Sequence, residues 1–141
     1  MPVLDTIMVI DDDPVTGLLV EKANHEVQLA KRVRCFYSAV DGLDYLTTAT
    51  EQKKALPEVI FLDIRMPIVN GWQFLEQFNA MGQSETTIFM LTSSIDQSDM
   101  NRARKVPNVE DYIVKPLSVH RLKAIRDSVL NLSREVSSTL T

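Results

Sequence analysis

The sequence has one cysteine, four glycines and one tryptophan in 141 residues, and each shortage excludes something. A single cysteine rules out an intrachain disulfide, and Cys35, set in the apolar run Val33 to Phe36, reads as a buried thiol. With so few glycines there is no loop ending in Gly-Lys-Ser/Thr and no Gly-x-Gly-x-x-Gly, so no nucleotide cradle is visible. Long hydrophobic runs are missing too. Val59 to Leu62 and Ile88 to Leu91 are far too short to cross a bilayer. Asp5 and Asp11 to Asp13 interrupt the basic-then-apolar layout of a signal peptide, so the expectation is a cytoplasmic protein without a membrane partner. A basic excess is also absent: 15 Lys and Arg stand against 19 Asp and Glu, a net charge of −4. That argues against a nucleic-acid partner. Arg102, Arg104, Lys105, Arg121, Lys123 and Arg126 do crowd the last third of the chain. They read as solvated helix faces, with a partner-docking surface as the second reading.

What is present is an ordinary apolar content of 45%, enough for one domain with a single core. Short runs rich in β-branched and aromatic residues recur at Ile7 to Ile10, Val33 to Phe36, Val59 to Leu62, Ile88 to Leu91 and Val109 to Val114. These have strand length, and the last, the most polar, reads as an edge strand. Helical patterns lie between and after them. The first opens with Asp13 as N-cap and Pro14 at the first helical position, with Val15, Leu18, Leu19, Ala23, Val27 and Ala30 as its inner face. The second begins at Ser38 with Asp41 in capping-box spacing and buries Ala39, Leu43 and Leu46. The third follows Asn70-Gly71 and carries Trp72, Leu75 and Phe78. The fourth, from Ser94 with Gln97 as its box, offers only the thin stripe Ile95, Met100, Ala103 and Val106. The fifth starts near Ser118 and buries Leu122, Ile125 and Val129, and a Ser-rich tail that frays is expected from about Asn131. Five strands alternating with five helices give an α/β domain, a doubly wound parallel sheet covered on both faces. In such sheets the functional groups collect beyond the carboxyl ends of the strands.

Four of the five strand ends carry reactive polar groups. Asp11, Asp12 and Asp13 follow the first strand, Asp63 the third, Thr92 the fourth and Lys115 the fifth. If Asp11, Asp12 and Asp63 converge within ~4 Å, each pair repels by about 4 kcal/mol at an effective dielectric of 20. Such a cluster raises its own pKa values unless a cation neutralises it, and hard oxygen ligands suit Mg²⁺. A lysine and a hydroxyl able to meet anionic oxygens complete the parts of a phosphoryl-transfer site. Without a nucleotide cradle, a carboxylate nucleophile remains, which would form an acyl phosphate on the protein itself.

Four segments carry a resemblance over nearly the whole chain, from about Asp5 to Leu130. They are Ile7-Met8-Val9-Ile10-Asp11-Asp12-Asp13-Pro14, Asp63-Ile64-Arg65-Met66-Pro67 with Gly71, Leu91-Thr92-Ser93, and Tyr112-Ile113-Val114-Lys115-Pro116. In this order and at strand ends, they resemble the response-regulator receiver family. The resemblance implies a flavodoxin-like (βα)5 fold with strand order 2-1-3-4-5. It also implies an N-terminal extension at 1–5, a receiver domain at 6–130, a tail at 131–141 and no effector domain. Asp63 is implied as phosphoacceptor, and Asp11, Asp12, Asp63 and the backbone carbonyl of Arg65 as ligands of Mg²⁺, or of Mn²⁺. Thr92 and Lys115 would hold phosphoryl oxygens, Thr92 and Tyr112 would form the switch, and a cis bond would precede Pro116. Arg65 and Ser94 occupy positions beside the path of an attacking water and would tune dephosphorylation, Arg65 either shielding the phosphoryl group or pairing with it.

The implied partners are a histidine kinase or histidine phosphotransfer protein as donor and an unidentified downstream protein. The chain would be a monomer or a phosphorylation-dependent homodimer, signalling through the face of the fourth helix, fifth strand and fifth helix. It would catalyse only its own phosphorylation and dephosphorylation. Two other readings stand beside this one. Asp11-x-Asp13-x-Val15 fits the nucleophile motif of haloacid-dehalogenase-type enzymes, although that reading leaves Asp63 unexplained. A degenerate receiver that binds partners without phosphorylation is the other. His25 and His120 read as surface residues.

Overall fold

The computed structural model describes residues 2–82 and 85–140, and residues 133–140 by their backbone alone. The chain runs β1 (Leu4–Ile10), α1 (Pro14–Val27), β2 (Ala30–Phe36), α2 (Ala39–Glu51), β3 (Val59–Asp63), α3 (Gly71–Ala80), β4 (Thr87–Thr92), α4 (Gln97–Arg104), β5 (Val109–Val114) and α5 (Val119–Leu140). All five strands pair in parallel, in the order β2-β1-β3-β4-β5. This is the flavodoxin-like arrangement, with β2 and β5 at the edges.

Alternation along the central strands divides the core between the two faces of the sheet. Met8, Ile10, Ile60, Leu62, Ile88 and Met90 point one way, against Leu43 and Leu46 of α2 and Trp72, Phe74, Leu75 and Phe78 of α3. Ile7, Val9, Phe61, Phe89 and Leu91 point the other way, against Val20 and Ala23 of α1 and Leu122 and Ile125 of α5.

Three local expectations are corrected. On α1 the buried residues are Thr16, Gly17, Val20, Ala23 and Asn24, while Val15, Leu18 and Leu19 face solvent. Small residues decide this, because a Cβ at Gly17 would stand 2.8 Å from Cys35 Sγ, so the helix lies close to β2 only along that side. Ala30 belongs to β2 rather than to α1. Gln28 takes a left-handed conformation with φ 60° and ends the helix, and the Asn24 side chain clasps Ala30 through its N–H and its carbonyl, both at 2.9 Å. Thirdly, α4 starts at Gln97 and is capped by Asp96, whose carboxylate accepts from the Ser98 and Asp99 amides, instead of by Ser94.

At the other end, α5 continues to Leu140, ten residues beyond Leu130. No glycine or proline follows Pro116 to interrupt it. Cys35 is half-buried rather than fully buried and donates to Glu21 Oε1 at 3.4 Å. Burial, then the Glu21 carboxylate beside it, push the thiol up to about 12. Both histidines are exposed. No helix among the described residues is long and apolar enough to cross a membrane.

Candidate functional site

Strand register sets the reactive groups side by side. Ile10 pairs with Leu62, so Asp11 and Asp63 are the next residues on adjoining strands. Asp63 in turn pairs with Leu91, ahead of Thr92, and Thr92 pairs with Val114, ahead of Lys115. The Lys115 amide continues the ladder by donating to the Thr92 carbonyl at 2.7 Å, and the Lys115–Pro116 peptide is cis.

Asp11, Asp12 and Asp63 each present a carboxylate oxygen within 4.8 Å of the others. Asp11 and Asp63 are buried and Asp12 is exposed, which leaves the cluster open to solvent on one side. The Lys115 ammonium reaches Asp11 Oδ2 at 2.9 Å and Asp63 Oδ1 at 3.5 Å. Asp13 stands apart, its carboxylate accepting from the Val15 amide at 3.0 Å as the cap of α1. That leaves the dehalogenase-type motif without its second acid.

The electrostatics separate the two buried acids. Burial drives Asp11 upward, but hydrogen bonds from Thr16, the Asp13 amide and Lys115 outweigh it and leave this carboxyl below its ordinary value. Asp63 is raised to about 6, first by burial and next by the charge of Asp11, while Lys115 and the Arg65 amide pull it down. Burial works against charge on Lys115 as well, yet its contacts with the two carboxylates raise its pKa overall. One lysine therefore compensates the acidic cluster only in part. The donor set, all oxygen with an exposed side, fits a small hard divalent cation.

The loop after Asp63 is folded tightly against it. The Ile64 amide donates to the Leu91 carbonyl at 3.0 Å, and the Gly71 amide to the Ile64 carbonyl at 2.9 Å. A Cβ on Gly71 would lie 2.5 Å from the Asp63 carbonyl oxygen, so only glycine lets α3 begin there. A reciprocal capping box of Asn70 and Gln73 fixes that start. Its Asn-x-x-Gln spacing is a start signal that the sequence itself carries.

Of the remaining residues singled out from sequence, Thr92 and Tyr112 meet at one atom. The Ser94 carbonyl accepts from the Thr92 hydroxyl at 2.8 Å and from the Tyr112 hydroxyl at 3.1 Å. Tyr112 is half-buried and its oxygen also accepts from the Asp96 amide at 3.3 Å. Arg65 turns its guanidinium to α4, 2.9 Å from Asp99 Oδ2 and 3.5 Å from Asp96 Oδ2. Asp96 and Asp99 were not anticipated from sequence. A pair of acids at a helix start reads as cap and dipole chemistry, and nothing in the pattern shows that Asp99 turns inward.

Around the pocket, the loops and helix starts beyond the strand ends expose Val15, Leu18, Tyr37, Ile68 and Ile95. Ile68 is 92% exposed and has φ 70°, a left-handed backbone that a β-branched residue rarely adopts.

The chain is similar to many known proteins. Protein PilG of Pseudomonas aeruginosa is 31% identical over 118 residues, covering 82% of this chain and 80% of that protein. Protein PilH of the same organism is 27% identical, with 88% and 96% covered. The chain spans only 56% of the transcriptional regulatory protein PcoR of Escherichia coli, to which it is 23% identical. Among solved structures, a two-component response regulator from Cytophaga hutchinsonii superposes with a TM-score of 0.82 at 26% identity, covering 91% of this chain and 98% of that one. The response regulator receiver domain family matches residues 7–126, the span that holds all five strands' carboxyl ends and every group of the acidic pocket, and the chain belongs to that family.

Proposed function

We propose that this receiver domain accepts a phosphoryl group on Asp63 from a phospho-histidine protein, using Mg²⁺, and signals by changing the contacts made by α4, β5 and α5. The observation that carries the reading is the meeting of Asp11, Asp12 and Asp63 with Lys115 at the strand ends. Receiver domains are the phosphoacceptor modules of two-component signalling, taking phosphoryl groups from histidine kinases and acting on downstream targets.

The three carboxylates and the Arg65 carbonyl are the groups that would hold Mg²⁺, and the same oxygen set would take Mn²⁺. Such an ion neutralises the acidic pocket and shares the charge of the transferred group. An Asp63 carboxylate oxygen attacks phosphorus, the new P–O bond forms as the P–N bond to the donor histidine breaks, and that nitrogen keeps the electron pair and takes a proton. Lys115, which now bridges Asp11 and Asp63, follows the negative charge onto a phosphoryl oxygen. The Thr92 hydroxyl leaves the Ser94 carbonyl to donate to another. Tyr112, which shares that carbonyl, then loses its partner arrangement and repacks. Catalysis in this scheme is positioning plus charge neutralisation, without a separate general base.

The apolar side chains exposed around the pocket favour a macromolecular donor that covers it over a small one. The reading keeps the chain in the cytoplasm, where kinases are charged from ATP. Acetyl phosphate with Mg²⁺ tests the chemistry directly: intact-mass measurement should find one phosphoryl adduct on the native chain and none on Asp63→Ala. Equal labelling of both proteins rejects Asp63 as acceptor. Transfer from a phosphorylated histidine kinase domain, faster than from acetyl phosphate by orders of magnitude, tests the donor class.

A further inference from the structure

α4 has almost no apolar face, since its buried residues are Asp99 and Ala103. A carboxylate in that inward position needs donors, and it finds them on α3 and the loop before it. The Trp72 indole N–H donates to Asp99 Oδ1 at 3.1 Å, and the Arg65 guanidinium donates to Asp99 Oδ2 at 2.9 Å. Asp96 approaches the same Arg65 nitrogen at 3.5 Å, and Arg102 stacks over Trp72 at 4.6 Å from the ring centroid. Arg65 lies two residues after Asp63, and its backbone amide is near enough to pull that carboxyl's pKa down. The cation that fastens α4 is therefore carried by the same peptide segment that touches the phosphoryl acceptor.

We infer that Arg65 is the positioning residue that couples Asp63 to α4: its guanidinium holds Asp99 and Asp96 in the free protein and leaves them for phosphoryl oxygens once Asp63 is acylated. The inference rests on the phosphoacceptor reading above. Its physical ground is competition for one cation. An aspartyl phosphate brings about two negative charges to the pocket, and a planar guanidinium matches phosphoryl oxygens with paired donors. Asp99 then keeps only its indole partner, and a buried carboxylate stripped of its cation is strongly disfavoured. α4 moves to return Asp99 to water, and its thin apolar stripe resists little. On the other flank of the α4 start, the Ser94 carbonyl holds Thr92 and Tyr112 at 2.8 and 3.1 Å, so departure of Thr92 loosens the same turn from the second side.

Trp72 is the only tryptophan in the chain, so its emission reads this hub without interference. The test titrates beryllofluoride with Mg²⁺ into the full chain while following Trp72 emission, with Asp63 phosphorylation by acetyl phosphate measured separately by mass. Emission should shift on binding. Asp99→Asn keeps an acceptor for the indole but gives up the charge pair, so its affinity for beryllofluoride should rise about fivefold. Asp96→Asn, which retains capping ability, should move affinity the same way by less. Combined with Arg65→Gln, the gain from Asp99→Asn should vanish, a non-additivity that a merely structural role would not produce. Wild-type protein that is phosphorylated on Asp63 with Trp72 emission unmoved overturns the inference and leaves the phosphoacceptor reading standing. An Asp99→Asn variant with unchanged affinity does the same. Failure to phosphorylate Asp63 overturns both.

Discussion

α3 and α4 are neighbours on one face of the sheet and are held there by different forces. α3 buries Gly71, Trp72, Phe74, Leu75 and Phe78, a continuous apolar stripe in the core. α4 buries one alanine and one aspartate. Apolar burial is non-directional and falls away only when the whole face is withdrawn, so α3 has a single good position. Hydrogen bonds and ion pairs are exchangeable, because a new anion can take over a donor that another held. The helix attached by polar contacts is the one suited to respond to charge arriving at Asp63.

The contrast breaks first at the core. Phe78→Ala in α3 should cost about 4 kcal/mol of unfolding free energy, whereas Ala103→Gly in α4 should cost about 1 kcal/mol, both measured by urea denaturation. Next comes the join between α3 and the acceptor strand. Gly71→Ala forces a methyl against the Asp63 backbone oxygen, a site with no flexible side chain to yield, and should cost about 2–3 kcal/mol. It should also slow labelling by acetyl phosphate, because the displaced backbone is that of the acceptor.

A third test sharpens the contrast at the pocket between the two helices. Asp63, raised to about 6, binds its proton more tightly in the folded chain than in the unfolded one. Stability contributed by that proton is present below the ordinary carboxylate value and is lost as pH rises through about 6. In metal-free buffer well above that range, Asp63→Asn should therefore be more stable than wild type by on the order of 2 kcal/mol. The advantage should disappear near about pH 4, where both proteins are neutral at this position, and shrink when Mg²⁺ is added. A wild-type melting temperature that rises steadily from pH 4 to 7 without metal would contradict it. The smallest effect is at the cap of α4, where Asp96→Ala should cost about 1 kcal/mol. Amide exchange should then quicken in α4 and stay unchanged in α3.

Much of the fold was legible because strand-length apolar runs followed by polar residues carry their own punctuation. Asp11, Asp63, Thr92 and Lys115 each follow such a run, and in a parallel sheet whose strand ends are level this suffices to bring them together. The inner face of α2 was legible for a similar reason, since Ala39, Leu43 and Leu46 are apolar at helical spacing with no rival stripe. On α1 a rival stripe exists. Val15, Leu18 and Leu19 share a period with the true inner face, and the choice between them is made by the room that Gly17 leaves for Cys35, a tertiary fact. Sequence alone misplaces the start of α4 because Ser94 and Asp96 are both good caps, and the Tyr112 hydroxyl, from a strand far along the chain, engages the loop between them. The Arg65–Asp99–Trp72 hub was not legible at all, because its members lie on three segments whose contact depends on how closely α3 and α4 approach.

Cys35, tied to Glu21 and pushed up to about 12, stays protonated at neutral pH and is a poor nucleophile. Maleimides and disulfide reagents will pass it over in favour of any ordinary surface thiol. The native chain thus serves as a nearly silent background for site-directed labelling: one engineered cysteine on the outer side of α4 can carry a spin label or dye and follow that helix in real time, with the natural residue left in place.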